Sequence, residues 1–408
     1  MSKTCILLTC EYPYITGEPF LENEMQYLSA AFDQIYLFPI NASTKHIPTR
    51  NVPENVKVFP LGCILSKMRY PVYIMNGLFC SEKDLAITDK NPKKALLSAY
   101  ERGRSNFVYH KILETIQANH LNVSDVVIYS YWFTDQAITA WRLKKHLTAQ
   151  GHTVKAVCRA HRYDLYWDKN PGGFLPYQEV TLRNLDGVYS CSDDGRNYLQ
   201  EKYPLQAHKA HTGRLGTTDY GITACDARQK TFVTCCSLKK FKRISMFAEA
   251  FCQLSLRDPH CRWVCIGDGE ELEEIRRIIH TYGVEDRVAL IGRLKNLDVI
   301  KYYRSHPMSY FCNVSTSEGI PVSIMEALSF GIPVIATDVG GSRELINEEN
   351  GRLLPEDITA EALAAAMEHE LSLTDEEYAL KRMAARKTWE EKSSAEKNYT
   401  AWCQLLLE

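Results

Sequence analysis

Ser317-Glu-Gly-Ile-Pro-Val-Ser-Ile-Met-Glu-Ala-Leu-Ser-Phe-Gly-Ile-Pro-Val-Ile-Ala-Thr337 holds two carboxylates, Glu318 and Glu326, with seven residues between them. Glu318 lies beside Gly319 in a loop. Pro321 suits the first turn of a helix, where its missing N–H takes nothing from the ladder. Gly331 is a C-terminal stop. Pro333–Thr337 then reads as a short buried strand. A loop, a helix start at Gly319, Ile320, Pro321 and Val322, and two acids form a site with two chemistries. The helix dipole attracts phosphate, and carboxylates accept from hydroxyls. The residues between the acids are mostly apolar, so the pattern predicts Glu326 on a buried helix. A buried carboxylate is costly unless something pairs it. A ligand and an internal Arg or Lys are the two candidate partners.

The flanking sequence has the same grammar. Short apolar runs alternate with longer amphipathic ones, which predicts parallel sheets covered on both faces. Expected strands in the first half include Cys5–Thr9, Gln34–Phe38, Val126–Tyr131 and Val154–Arg159. Helices are expected at Pro19–Phe32, Tyr109–Asn119 and Asp135–Gln150. The pattern restarts after Asp219, with strands at Phe232–Cys236, Trp263–Ile266, Val288–Ile291, Tyr310–Asn313 and Arg352–Leu354. The expectation is α/β, with two doubly wound Rossmann-like domains, residues 1–215 and 216–387, joined by a polar linker near Gly213–Arg228. A cleft between two such domains is the default ligand site. Ala384–Leu407 reads as one final amphipathic helix, its part from about 388 returning to the first domain. Ile64–Cys80 breaks the alternation. It reads as a buried connection, with a membrane-surface segment or an acceptor groove as the alternatives.

Bulk composition narrows the classes. A chain of 408 residues, 45% hydrophobic and 24% charged, is globular and long enough for two domains. A net charge of −2 argues against a nucleic-acid partner. Fourteen scattered cysteines, with no Cys-x-x-Cys, predict reduced thiols and a cytoplasmic location. No window approaches the ~18–20 apolar residues that span a bilayer.

Further loops join the carboxylate pair. Gly267-Asp268-Gly269 follows a strand and precedes a helix, either as a tight turn or as a place where backbone approaches a ligand. Gly340 and Gly341 can form a nest of N–H groups, and Ser342 can cap the next helix. Leu238-Lys-Lys-Phe-Lys-Arg243 follows another strand. Lys242 is its best candidate for diphosphate charge, while Lys239 and Lys240 read as solvated.

These residues resemble the nucleotide-sugar-binding domain of the family-4 retaining glycosyltransferases of the GT-B fold, over about residues 232 to 355. The family's Glu-x7-Glu motif corresponds to Glu318 and Glu326, and its Gly-x-Gly loop to Gly267–Gly269. Its Arg-x4-Lys pair corresponds to Ser237 and Lys242, so the Arg is replaced, and Arg243 is the residue that might stand in for it. The run from Ser315 to Ala327 is similar to a bacterial subgroup that builds surface polysaccharides. In the first domain the resemblance is looser. A single Gly17, in Glu11–Phe20, occupies the place of a Gly-rich loop near the donor phosphates. His161, beside Arg159, Arg162 and Asp164, corresponds to the family His, and Ser130-Tyr-Trp-Phe133 is placed to stack on a sugar.

The resemblance implies transfer of a sugar from a nucleotide-diphosphate donor to a carbohydrate or lipid-linked carbohydrate acceptor, with retained anomeric configuration. Glu318 would take donor-sugar hydroxyls, Glu326 the ribose, Lys242 the diphosphate, and His161 would orient the sugar. No side chain is an obvious nucleophile, so the expected route is same-face attack. No cofactor and no metal are expected, since no Asp-x-Asp reads as a manganese site. Peripheral contact with the inner membrane face is allowed by this reading, and oligomeric state is left open. A nucleotide-sugar epimerase of this fold and a non-catalytic sugar-binding relative are the alternatives. A pyridoxal-dependent phosphorylase and a dehydrogenase rank lower, the latter for want of a Gly-x-Gly-x-x-G.

Overall fold

The computed structural model describes residues 3–15, 17–63, 69–80, 82–170, 173–223 and 229–408. The chain divides into two compact units, Met1–Arg214 with Asn398–Glu408, and Leu215–Lys397.

The first unit contains β1 (Thr4–Thr9), α1 (Leu21–Ala31), β2 (Gln34–Pro39), β3 (Val56–Val58), α2 (Tyr70–Phe79), α3 (Pro92–Ala118), β4 (Asp125–Ser130), α4 (Asp135–Ala149), β5 (Thr153–Ala160), α5 (Gln178–Asn184), β6 (Gly187–Ser190), α6 (Asp193–Lys202) and β7 (Ala210–Thr212). Its seven strands are parallel, in the order β3-β2-β1-β4-β5-β6-β7. Residues alternate between two apolar layers, one on each face: Ile6 and Leu8 join one, Cys5 and Leu7 the other. The order reverses between β1 and β4, where a doubly wound sheet opens a crevice.

The second unit contains β8 (Thr231–Cys235), α7 (Ile244–Arg257), β9 (Arg262–Ile266), α8 (Leu272–Tyr282), β10 (Val288–Gly292), α9 (Asn296–Ser305), β11 (Tyr310–Asn313), α10 (Val322–Ser329), β12 (Val334–Thr337), α11 (Ser342–Leu345), β13 (Gly351–Leu354), α12 (Ala360–Leu371) and α13 (Asp375–Lys392). Its parallel sheet runs β10-β9-β8-β11-β12-β13, with the reversal between β8 and β11. Local chemistry sets the helix ends. Thr374 and Glu377 form a reciprocal capping box on α13. Gly283 ends α8 at φ +65°.

Three expectations change. The helix expected at Tyr109–Asn119 begins at Pro92. Buried charge hid its first half: Arg104 pairs with Asp135 at 2.6 Å and donates to Asn41 at 2.7 Å, so arginines interrupt the apolar period on an inward face. The final stretch is two helices, α13 and α14 (Ala395–Leu407), split at Ser393 and Ser394. Trp389 in α13 donates to Thr217 at 2.8 Å within the second unit, whereas Trp402 lies 4.4 Å from the Arg159 guanidinium within the first.

The third change concerns Ile64–Cys80, of which 64–68 lie outside the described residues. The rest is not a buried connection. It is α2, with Tyr73 and Gly77 turned inward and Val72, Met75, Leu78 and Phe79 exposed. Two glycines let α2 and α3 touch backbone to backbone. A Cβ on Gly77 would stand 1.8 Å from the Ala99 carbonyl oxygen, and one on Gly103 would stand 1.7 Å from that of Tyr73. Gly103→Ala should therefore force the helices apart and destabilise the first unit by about 1–3 kcal/mol. Differential scanning calorimetry should show a lower transition for that unit, and an unchanged thermogram would contradict the crossing.

Candidate functional site

The crevice of the second unit forms where β8 and β11 end. Beyond β8, a turn over Lys240–Lys242 carries Lys242 toward the loop after β11. The Lys242 Nζ donates to Glu318 Oε1 at 2.5 Å. Ser315 Oγ and Asn313 Nδ2 donate to the same oxygen at 2.6 and 3.3 Å. The pair is largely withdrawn from water, with side-chain exposures of 16% for Lys242 and 9% for Glu318. The sequence reading gave these two residues separate ligands, and the structure joins them to each other.

Arg243 explains why the turn lies where it does. It sits in the left-handed region at φ +52°. Its guanidinium donates to the carbonyls of Val314 (2.7 Å), Glu356 (2.6 Å) and Ser315 (3.5 Å). The Thr316 N–H donates to the Phe241 carbonyl at 2.8 Å. Arg243 is thus a clamp between loops, its guanidinium engaged by three backbone carbonyls. Ser237 is half-buried in the same segment, and its carbonyl accepts from the Lys239 N–H.

The glycines act as buttresses. A Cβ on Gly267 would meet the Cys236 carbonyl at 1.9 Å, and one on Gly269 that of Leu238 at 2.6 Å. Removing both side chains lets the loop after β9 support Ser237 and Leu238, and the Leu238 N–H donates to the Asp268 carbonyl at 3.0 Å. Gly340 packs in the same way: its Cβ would fall 2.1 Å from the Glu318 carbonyl. The Gly341 N–H donates to the Gly319 carbonyl at 2.8 Å. The expected Gly340–Gly341 nest is therefore a prop for the Glu318 loop. Ser342 does not cap α11 either; it is the helix's first residue, and its hydroxyl is buried without a partner.

α10 starts four residues beyond Glu318. Pro321 is its N-cap and no side chain caps the helix. Gly331 ends it at φ +70°. Glu326 is buried on this helix, and Asn296, which opens α9, donates to it at 2.6 Å. No ion pair to Glu326 occurs among the described residues. Burial raises its pKa to about 7, against the opposing Asn296 hydrogen bond.

The crevice of the first unit is built differently. Glu18, at φ +53°, turns its carboxylate back under the loop after β1. It accepts from the backbone N–H groups of Cys10, Glu11 and Tyr12 and from Trp132 Nε1, at 2.5–2.8 Å. Gly17 donates its N–H to Glu11, whose carboxylate oxygen would be 2.6 Å from a Cβ on Gly17. The N–H groups there are taken by the chain's own acids.

His161 follows β5 and packs 4.5 Å from the Trp132 ring and 4.7 Å from that of Tyr131. Asp164 holds the backbone N–H groups of His161, Arg162 and Phe133 at 2.9–3.1 Å. Burial opposes charge on the His161 ring, but Cys191 and Asp164 together push its pKa above the ordinary imidazole range. Asp164 stands 3.7 Å from Nδ1, an ion-pair distance rather than a hydrogen bond.

Glu18, Asn296, Asn313 and Ser315 were not singled out in the sequence. Asn313 and Ser315 had a signal, as polar residues at a strand end leading to Glu318. Asn296 had none, being thirty residues from its partner.

Residues 221–388 match the family model "Glycosyl transferases group 1". A UDP-N-acetylglucosamine–peptide N-acetylglucosaminyltransferase GtfA subunit of Streptococcus pneumoniae is 28% identical over 189 residues, 45% of this chain and 36% of that one. The O-antigen biosynthesis glycosyltransferase WbnH of Escherichia coli is 35% identical over 89 residues, 22% of this chain and 24% of that one. The matched stretches thus cover well under half of those relatives. The sucrose-phosphate synthase of Thermosynechococcus elongatus superposes with a TM-score of 0.72 at 17% identity, over 99% of this chain and 98% of that one. The fold is that of the GT-B glycosyltransferases, and the second unit is similar to a glycosyl transferases group 1 domain.

The raised Glu326 pKa has a stability consequence. The folded state prefers the protonated acid, so its contribution is complete below the unfolded value near 4.5 and is lost as pH rises through about 7. Glu326→Gln should remove that slope. Melting temperatures from pH 5 to 8 should fall more for the wild type than for Glu326→Gln, by up to roughly 3 kcal/mol in stability. Parallel curves would show that Glu326 is ionised throughout.

Proposed function

We propose that this chain is a retaining, metal-independent glycosyltransferase that moves a sugar from a nucleotide diphosphate to an acceptor hydroxyl in polysaccharide or glycolipid synthesis. One observation carries the reading: Lys242, Asn313 and Ser315 converge on Glu318 at the switch point of a parallel sheet, just ahead of an uncapped helix. A donor diphosphate would draw the Lys242 ammonium and the α10 N-terminus, releasing Glu318 to accept sugar hydroxyls. Glu326 would accept from the ribose, with Asn296 orienting it. A UDP-sugar is the first donor to try, because the Streptococcus pneumoniae relative's name carries one.

In the proposed step the bond from the anomeric carbon to the leaving phosphate oxygen breaks, and a bond to the acceptor oxygen forms on the same face. The acceptor proton passes to that phosphate oxygen. Lys242 and the helix N-terminus stabilise the departing charge. His161 keeps its part toward the transferred sugar on the strength of the resemblance. The exposed apolar residues of α2 suit peripheral contact with a membrane surface, and among the described residues no helix is long and apolar enough to cross one.

A donor-binding relative without turnover is the second reading. Ser237 in place of the family arginine and the self-filled loop at Glu18 favour it. Two measurements separate the readings. Incubation with UDP-, GDP- and ADP-sugars should raise the melting temperature for one of them, and product nucleotide should then be released with an acceptor. Lys242→Ala should lower kcat by about 10²–10³-fold. Donor stabilisation without nucleotide release would favour the second reading, and no stabilisation by any donor would sink both. Ser237→Arg should tighten donor binding if the segment it occupies lines the diphosphate.

A further inference from the structure

The first unit has a second concavity, away from the switch point at Glu18 and Trp132. It is a hollow of about 690 Å³ between the segment after α2, the side of α3 at Ser98, and the stretch leading into α5. That volume suits a small ligand, for which sites run from ~300 to ~1,000 Å³. Its aromatic walls are Trp167, Phe174, Tyr177 and Tyr203.

The walls are held in place. Gln178 Oε1 accepts from Trp167 Nε1 at 2.6 Å and from the Tyr203 hydroxyl at 3.2 Å. Its Nε2 donates to the carbonyls of Asp164 and Leu165, both at 3.0 Å. Phe174 meets Trp167 edge to face, with centroids 5.2 Å apart. Lys202 caps the Trp167 ring at 3.7 Å.

Tyr177 is the anomaly. It adopts φ +60°, a left-handed conformation that a bulky side chain avoids, at the head of α5. Its hydroxyl is buried beside the Ser98 hydroxyl. Strain of this kind persists where surrounding structure enforces it, and it gathers at ligand sites.

The charge of the walls selects the ligand. Charges of both signs meet there: Lys83 and Arg183, with the Lys202 and Lys94 ammoniums over the Trp167 and Phe174 rings, face Asp84, Asp89 and Glu179. A polyhydroxylated ligand suits such walls: its hydroxyls donate to the carboxylates and accept from the bases, and its C–H faces lie against aromatic rings. We propose that this hollow binds a saccharide, the portion of the acceptor glycan remote from the hydroxyl that reacts. Its role as an acceptor subsite rests on the glycosyltransferase reading, whereas saccharide binding does not. The hollow holds the glycan through Trp167, three residues from Asp164, so the same loop carries the subsite and positions His161.

Saturation-transfer NMR on the full chain tests this, with lactose, maltose and N,N′-diacetylchitobiose as probes. Ring protons of at least one disaccharide should receive saturation, and the signal should fall at least fivefold in both Phe174→Ala and Asp89→Asn. UDP-induced thermal stabilisation, measured in the same samples, should match the wild type. Asp89→Asn keeps the shape of the side chain and decides the matter if Phe174→Ala fails to fold. No saturation from any of the three, or an undiminished signal in a folded Asp89→Asn, overturns the subsite. Saccharide binding without any nucleotide response leaves the subsite standing and removes the transferase reading instead.

Discussion

A carboxylate withdrawn from water, with donors converging on it from two loops, organises the crevice of each unit. In the second unit it is Glu318, which receives Lys242, Asn313 and Ser315 on one oxygen. In the first it is Glu18, which receives three backbone N–H groups and the Trp132 indole. A buried acid is tolerable only when hydrogen bonds or a cation offset its lost hydration. Each carboxylate therefore dictates where the strand-end loops must lie, and other features follow from that demand. Gly267, Gly269 and Gly340 lack side chains because loops must close around Glu318 and its neighbours. Arg243 takes a left-handed backbone because its guanidinium must reach three carbonyls.

The two crevices differ in what they can exchange. Glu318 is bound entirely by side chains, one ammonium and two neutral donors. Glu18 is bound mainly to backbone, which cannot move aside without remaking the loop after β1. The first unit also offers aromatic surfaces: Trp132 and Tyr131 around His161, and Trp167 with Phe174 farther along the same loop.

Much of the architecture was legible because periodicity reports burial. Strands such as Tyr310–Asn313 read as short apolar runs, and α10 stood out between two of them. The reading failed where buried charge or exposed hydrophobicity broke the usual association. Arg102 and Arg104 concealed the first half of α3, since arginine is rarely buried. The apolar α2 was taken as interior, yet one of its faces is open because a glycine crossing with α3 satisfies the other. At the site, Glu318, Glu326 and Lys242 were legible from spacing and strand ends. Asn296 was not, because nothing local links it to Glu326.

The sequence by itself determined the two parallel sheets, the loop-helix-strand unit around Glu318 and Glu326, and the residue types that surround it. Those follow from period, breakers and helix signals, which are local. Only the tertiary structure decided that Lys242 pairs with Glu318, that Arg243 is a clamp, that the glycine loops are props, and that Glu18 fills the loop holding Gly17. Each of these depends on which hydrogen-bond donors arrive within about 3 Å of a given acceptor. That distance is set by the packing of segments far apart in the chain, and no local pattern encodes it.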